Sequence, residues 1–382
     1  MTKQINLIAI AEQFTSQGKV TGIQSLGNGN INDTFLVTVD APGSKHFVLQ
    51  RINTQVFRQP QLVMQNMRTL TDHICHRLQR TPINGRWEFP RVLLTHDTQD
   101  LWEDDNGGCW RAMSFVENAQ SFDTLLDNSQ AQQVGYALGM FHNLISDLPS
   151  VKLADTLPGF HITPLYLQNY EKVVAKANWR SSPEVNYCFK FVSDTYGGQL
   201  RSKFANILED AKATGKLPLR LMHGDPKINN VLFDTENQKA VSVIDLDTVK
   251  PGLVHYDIGD CLRSGCNPAG EETEQWETVY FDTDLCQGIL EGYLNVAQGF
   301  FIENDYHYIY AAIRLIAFEL GVRFFTDYLA GNVYFKIQHP EHNLARALVQ
   351  FKLTESIESQ ETKICQIIEK SREPKPIRQG TG

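Results

Sequence analysis

Between Leu221 and Arg263 the chain reads LMHGDPKINNVLFDTENQKAVSVIDLDTVKPGLVHYDIGDCLR, and this stretch concentrates residues able to do chemistry together. Asn230 to Phe233 and Ala240 to Ile244 are short apolar runs joined by the polar turn Asp234 to Lys239, the pattern of a β-hairpin. His223, Asp225 and Asn230 stand at its entrance, Asp245 and Asp247 at its exit. A hairpin returns the chain to its origin, so Asp225, Asn230 and Asp245 are expected to converge at one end. Phosphoryl transfer from a nucleotide uses such a set. One carboxylate orients the attacking hydroxyl and takes its proton, while a carboxylate and an amide oxygen, both hard ligands, hold Mg²⁺ against the phosphates.

The spacing sharpens that reading. In protein kinases the base Asp and a metal-binding Asn lie in H-R-D-x-x-x-x-N, and a second metal-binding Asp follows. Here Asn230 lies five residues after Asp225, as in that motif, and Asp245 lies twenty after it. The structural alternative is an Asp-capped turn ahead of a plain hairpin. A metal-dependent hydrolase also has a claim, since His223-Gly224-Asp225 and His255-Tyr256-Asp257 are two H-x-D pairs. A hairpin with Asn230 at its entrance has no role in that chemistry.

The elements that must position these residues fall into two textures. Val20–Leu26, Thr34–Val39, Lys45–Ile52, Pro90–Thr95 and Cys109–Val116 read as strands, with one Gly- and Pro-free helical stretch, Gln61–Leu78, among them. Past Glu117 helical patterns dominate: Ala131–Ser146, Leu165–Ala177, Gly198–Lys212 and Ala311–Leu329, the last with an apolar stripe at Leu315, Phe318, Val322 and Phe325. The expected architecture is α+β: a small antiparallel sheet lobe over residues 1–116, a larger helical lobe over 117–370 and a polar, unstructured tail over 371–382.

With 382 residues the chain can bury a core unaided, and 35 Lys+Arg against 44 Asp+Glu give a net charge of −9. That balance argues against a nucleic-acid-binding surface. The apolar N-terminal run is too short and broken for an export signal or a membrane span, and the seven Cys form no C-x-x-C pair. Together these point to a cytoplasmic protein with reduced thiols.

On His223-Gly224-Asp225, Asn230 and Ile244-Asp245, the chain resembles the aminoglycoside phosphotransferase and choline kinase family, whose signature is H-G-D-x-x-x-x-N followed by I-D. The resemblance runs from about residue 20 to 350. It implies a two-lobed, protein-kinase-like fold, ATP as co-substrate and Mg²⁺ as cofactor. It also implies roles for single residues: Asp225 as catalytic base, Asn230 and Asp245 as Mg²⁺ ligands, and His223 as the brace of the catalytic loop. Asp247 is left between assisting the metal and a backbone hydrogen bond. Asp257 and Asp260 are assigned to fixing the loop, and Arg263 either meets phosphate or pairs with Asp260.

On the nucleotide side Gly27, Asn28 and Gly29 match a loop over the phosphates, and Ser114 and Val116 match the hinge that edges the adenine. One departure stands out. The third strand ends Val48-Leu49-Gln50-Arg51 where a phosphate-binding Lys is usual, and the next helix offers Gln65 where a Glu is usual. Gln50 is expected to face the nucleotide and Arg51 to face away, with an amide-to-amide hydrogen bond replacing the usual ion pair.

For the acceptor, the runs KINNVLFD, VIDLDT, DIGDCLR and ELGVRFFTDYLAGNVYFK are similar to those of family members that phosphorylate the anomeric hydroxyl of N-acetylhexosamines. That similarity implicates Asp33, Arg323 and Tyr334 in sugar binding. Glu319, Arg323 and Asp327 recur every four residues, which is also the spacing of a solvated salt-bridge ladder. The competing expectations are a kinase of another sugar or of an amino alcohol, and a non-catalytic nucleotide- or sugar-binding protein. No nucleic-acid or membrane partner is expected.

Overall fold

The computed structural model describes residues 6–14, 18–27, 31–40, 45–176, 179–196 and 199–372, with backbone alone at 196 and 199–202. After a short helix α1 (Leu7–Ala11) come β1 (Lys19–Ser25), β2 (Asp33–Asp40) and β3 (His46–Ile52), then α2 (Pro60–Arg80). The strands β4 (Val92–Leu93), β5 (Trp102–Glu103) and β6 (Cys109–Ser114) complete an antiparallel sheet in the order β1-β2-β3-β6-β4, with β5 also on β6. Alternation at period two puts Val37, Val39, Phe47 and Leu49 into one small core with Ile10, Phe14 and Trp110. Helix α2 starts at a proline, whose missing N–H costs nothing there. It turns Val63, Met64, Met67, Leu70 and Ile74 inward at helical spacing.

The chain leaves this sheet after Ser114 and enters a second, in which β7 (Ala119–Gln120) pairs with β9 (Val231–Asp234), itself paired with β10 (Ala240–Val243). Helices α3 (Asn128–Ile145), α4 (Thr163–Val174), α5 (Pro183–Tyr196) and α6 (Gln199–Ala213) lie between. The expected hairpin is β9–β10, and a second pair, β8 (Arg220–Met222) with β11 (Lys250–Gly252), brackets it. The segments 223–230 and 244–249 are thus gripped between two ladders. Helices α7 (Val254–Gly265), α8 (Thr283–Ala297), α9 (Glu303–His307), α10 (Ile309–Leu329), α11 (His342–Ser359) and α12 (Glu361–Arg372) follow. Ser371 and Arg372, expected in the tail, instead complete α12; residues 373–382 lie outside the described residues. Among the described residues no helix is long and apolar enough to cross a membrane.

Two features of the helical part bear on the site. Helix α10 is buried almost all round, Glu319 and Asp327 included, instead of along one stripe. Helices α3 and α8 cross at backbone contact: a Cβ on Gly135 would lie 1.9 Å from the Ile289 carbonyl oxygen, and one on Gly292 2.0 Å from that of Gln132. Gly135→Ala must therefore push the helices apart, at a cost of about 3 kcal/mol, the upper end for overpacking. Urea unfolding measures this, and a loss under about 1 kcal/mol would show that the crossing yields freely.

Candidate active site

The turn after β8 is fixed at every peptide. The Asp257 carboxylate accepts the backbone N–H groups of His223 (2.6 Å) and Gly224 (2.8 Å), and is itself held by His142 at 2.7 Å. Thr248 Oγ1 donates to the His223 carbonyl (2.7 Å), and the His161 ring bonds the Gly224 carbonyl (2.7 Å). Gly224 has φ +90°, and a Cβ there would lie 2.9 Å from Thr248, so glycine alone serves. His223 is buried. Its Nε2 bonds the Ile244 carbonyl at 3.0 Å and its Nδ1 accepts the Asp225 N–H at 3.2 Å. One imidazole thereby spans from the Asp225 backbone to the residue before Asp245, and burial lowers its pKa against the pull of Asp257 and Asp225.

Asp225 stands half-buried, with 32% of its side chain exposed. Asn230 Nδ2 donates to the Asp225 carbonyl at 2.7 Å, leaving Oδ1 as a ligand oxygen. Asp245 adopts the left-handed region (φ 64°, ψ 59°), a conformation that costs energy and concentrates at functional turns. Its carboxyl opens toward solvent yet is walled by protein. That burial, with the Asp247 and Asp225 charges, pushes its pKa up to about 7. A divalent cation would relieve this crowding. Mg²⁺ takes few protein oxygens and completes its shell with phosphates and water, which suits one amide and one carboxylate. Among the described residues no group of three or more His, Cys, Asp or Glu could hold a metal. The two H-x-D pairs form no such group: His223 spends both ring nitrogens, on the Ile244 carbonyl and the Asp225 N–H, and His255 is buried with its Nε2 on the Asp305 carbonyl.

Several residues depart from their sequence reading. The Asp247 side chain caps no backbone group; it forms an ion pair with Arg111 (2.5 Å) and accepts from Asn32 (2.8 Å). Gln65 is exposed and makes no bond with Gln50. Gln50 instead donates to Thr34 and accepts from Arg111, while Arg51 lies on the other face beside Asp104. Of the two expectations for Arg263, pairing with Asp260 is the one observed; it also joins Glu271, and the buried guanidinium is closed off from phosphate. Asp260 is spent on that pair, so the loop is fixed by Asp257 alone of the two. Gly27 has φ +69°, as a tight turn requires; Asn28 and Gly29 lie outside the described residues. Ser114 exchanges bonds with Arg91 through both its N–H and its hydroxyl, and Val116 is buried just beyond.

The supposed ladder on α10 is three separate anchors. Glu319 binds His161 (2.9 Å) and Thr163 (2.6 Å). Asp327 accepts the backbone N–H groups of Val333, Tyr334 and Phe335 and the Asn343 amide, pinning the loop after the helix. Arg323, between them, has its guanidinium 5.0 Å from the Tyr166 ring centroid, 5.2 Å from Phe160 and 5.5 Å from Phe335. Among the described residues it has no carboxylate within ion-pair distance, yet it lies in the electrostatic reach of the Glu319 and Asp225 carboxylates. Asp33 reaches the same loop through Lys336 Nζ at 2.8 Å. Beside them a cavity of about 340 Å³ is walled by Asn32, Asp33, Glu272, Lys336, His342 and Arg346.

Sequence reasoning missed Lys227, whose Nζ lies 3.3 Å from Asp225 and whose pKa is raised by Asp225 and then Asp245. A cation two residues after the Asp was the available signal. It also missed His161, Arg111, Asn32 and Lys336, whose partners are distant in sequence.

A family described as the phosphotransferase enzyme family, APH, matches residues 22–287, more than half of the chain. The chain belongs to this family. The phosphotransferase also shares its fold with solved structures. An aminoglycoside phosphotransferase from Alicyclobacillus acidocaldarius matches at TM-score 0.61 and 16% identity, over 97% of this chain and 98% of that one. A microcompartment-associated aminopropanol kinase matches at 0.61 and 16%, over 94% and 98%. An amicoumacin kinase in complex with AMP-PNP and Ca²⁺ matches at 0.57 and 12%, over 93% of each. At these identities the likeness establishes the two-lobed, protein-kinase-like fold.

The Asp327 anchor yields a prediction. Asp327→Ala removes the acceptor of three backbone N–H groups, and is expected to raise the acceptor KM about tenfold while the KM for ATP stays within about twofold. Steady-state kinetics decide it, and equal movement of both constants would refute a local role for this loop.

Proposed function

We propose that this phosphotransferase is an ATP- and Mg²⁺-dependent sugar kinase acting on the anomeric hydroxyl of an N-acetylhexosamine. Asn230 and Asp245 would hold Mg²⁺, which when bound neutralises phosphate charge. Gly27, Asn28 and Gly29 would cover the phosphates, Gln50 would face the nucleotide, and Ser114 and Val116 would border the adenine. Asp225 orients the acceptor hydroxyl in line with the transferring phosphorus and accepts its proton. Lys227, beside it, supplies positive charge where negative charge gathers.

The observation that carries the sugar reading is Arg323. A guanidinium with aromatic neighbours and no carboxylate partner, in the electrostatic reach of Asp225, favours hydroxyl and carbonyl acceptors. It repels a cationic amino alcohol. Tyr334 and Asp33 add a hydroxyl and a carboxylate, the directional groups a sugar ring needs.

The test is ADP release with Mg·ATP against N-acetylglucosamine, N-acetylgalactosamine, galactose, glucose, choline and aminopropanol. Turnover of an N-acetylhexosamine with loss of its reducing end supports the reading. Turnover of choline or aminopropanol alone would replace it with an amino-alcohol kinase.

A further inference from the structure

In protein kinases a strand Lys paired with a helix Glu must be in place for activity. This chain has Gln50 on that strand and an exposed Gln65 on the helix, and the neighbouring buried Asn66 is turned to the Ala154 and Val249 carbonyls. The cation is nevertheless present, one strand away. Arg111 on β6 lies directly across from Gln50 in the ladder, and its side chain is 1% exposed. Its Nε and Nη2 donate to Gln50 Oε1 at 3.0 and 2.6 Å, and its Nη1 lies 2.5 Å from Asp247 Oδ1. The other carboxylate oxygen of Asp247 accepts from Asn32 Nδ2 at 2.8 Å. Asn32 in turn accepts the Asn53 N–H on its side chain and Lys336 Nζ on its carbonyl.

Asp247, two residues beyond Asp245, thus turns both oxygens to the sheet lobe: Oδ1 faces Arg111 as an ion pair without an aligned hydrogen bond, and Oδ2 is hydrogen-bonded by Asn32. We propose that Asp247 is the clasp between the lobes and that Arg111 is a positioning residue acting through it, setting the sheet lobe, and with it the nucleotide cleft, against the loop that carries Asp245. Arg111 is too enclosed to meet phosphate itself, and the Asp247 side chain, 2% exposed, is turned to the sheet lobe. The ion pair usual between strand and helix is here relocated to strand and metal loop. The inference rests on the nucleotide-binding reading of the cleft.

The test uses the full chain with ADP as probe: thermal unfolding without nucleotide, and ADP titration with and without Mg²⁺. Arg111→Met and Asp247→Asn are each expected to lower the melting temperature and to weaken ADP about tenfold, because each leaves a buried charge without its partner. The double variant is expected to be no worse than the more damaged single, the signature of one shared contact. Arg111→Lys should recover ADP affinity to within about threefold of wild type, since it keeps one bond to Asp247. The factor by which Mg²⁺ tightens ADP should stay within about twofold of wild type in these variants, while Asp245→Asn loses it.

Multiplying single effects, wild-type ADP affinity in Arg111→Met, or loss of the Mg²⁺ factor in Asp247→Asn would each overturn the clasp. Should Arg111→Met fail to fold, Asn32→Ala removes the other half of the clasp. It is expected to weaken ADP about threefold with the Mg²⁺ factor intact, and unchanged affinity overturns the proposal. If wild-type protein binds no ADP, the nucleotide reading fails, while additive melting effects would separately refute the clasp.

Discussion

Asp225→Asn is expected to lower kcat at least a thousandfold while ADP affinity stays within about threefold of wild type. The substitution keeps the size of the side chain and disturbs none of the bonds that fix the loop. Those run through the backbone of His223, Gly224 and Asp225 to Asp257, Thr248, His161 and His223 Nδ1. What it removes is the proposed proton acceptor and one negative charge beside Lys227. Binding should therefore survive and chemistry should not. Retention of more than about a tenth of wild-type kcat, a barrier change below about 1.4 kcal/mol, would take the base role away from Asp225.

Arg323→Met is the second large effect, and it falls on the other substrate. Methionine can fill the space among Phe160, Tyr166 and Phe335 but donates no hydrogen bond. Hydrogen bonds from a charged donor contribute about 1.5–3 kcal/mol, so the acceptor KM should rise about ten- to a hundredfold. The KM for ATP should stay within about twofold, because Arg323 stands on α10 among Phe160, Tyr166 and Phe335, all residues outside the sheet lobe. Initial rates over a grid of both substrates separate the two constants. If the ATP constant moves as much as the acceptor constant, Arg323 serves the architecture of the cleft instead of the acceptor.

What could be read from the sequence depended on the range of the interaction. The β9–β10 hairpin and the convergence of Asp225, Asn230 and Asp245 are local, so periodicity and a turn were enough. Strands β1, β2, β3 and β6 and helix α2 were legible for the same reason, while the expected strand Pro90–Thr95 shrinks to the two residues of β4 and β5 went unread. Asp247 was not, because its partners Arg111 and Asn32 lie far back in the chain and meet it only when the lobes come together. Nor was the fate of Glu319, Arg323 and Asp327. Four-residue spacing announces a ladder on an exposed helix, but α10 is enclosed, so each side chain meets a different neighbour. The missing strand lysine was visible, while its counterpart on β6 was not: nothing in the run Trp110-Arg111-Ala112 distinguishes a buried arginine from a surface one.

The way the loop beyond α10 is tethered has a consequence for how acceptor preference can change. Its fastening is at the root: the Asp327 carboxylate holds the backbone N–H groups of residues 333–335 and bonds no side chain of that loop, while Asn343 bonds the Asn332 side chain at its start. A carboxylate that grips main-chain N–H groups is indifferent to which residues bear them. The segment carrying Val333, Tyr334 and Ile337, all exposed, is therefore an exchangeable cassette on a fixed socket. If the loop lines the acceptor site as proposed, new specificities can be written into it by recombination or design, with α10 and the proposed phosphoryl-transfer residues left as they are.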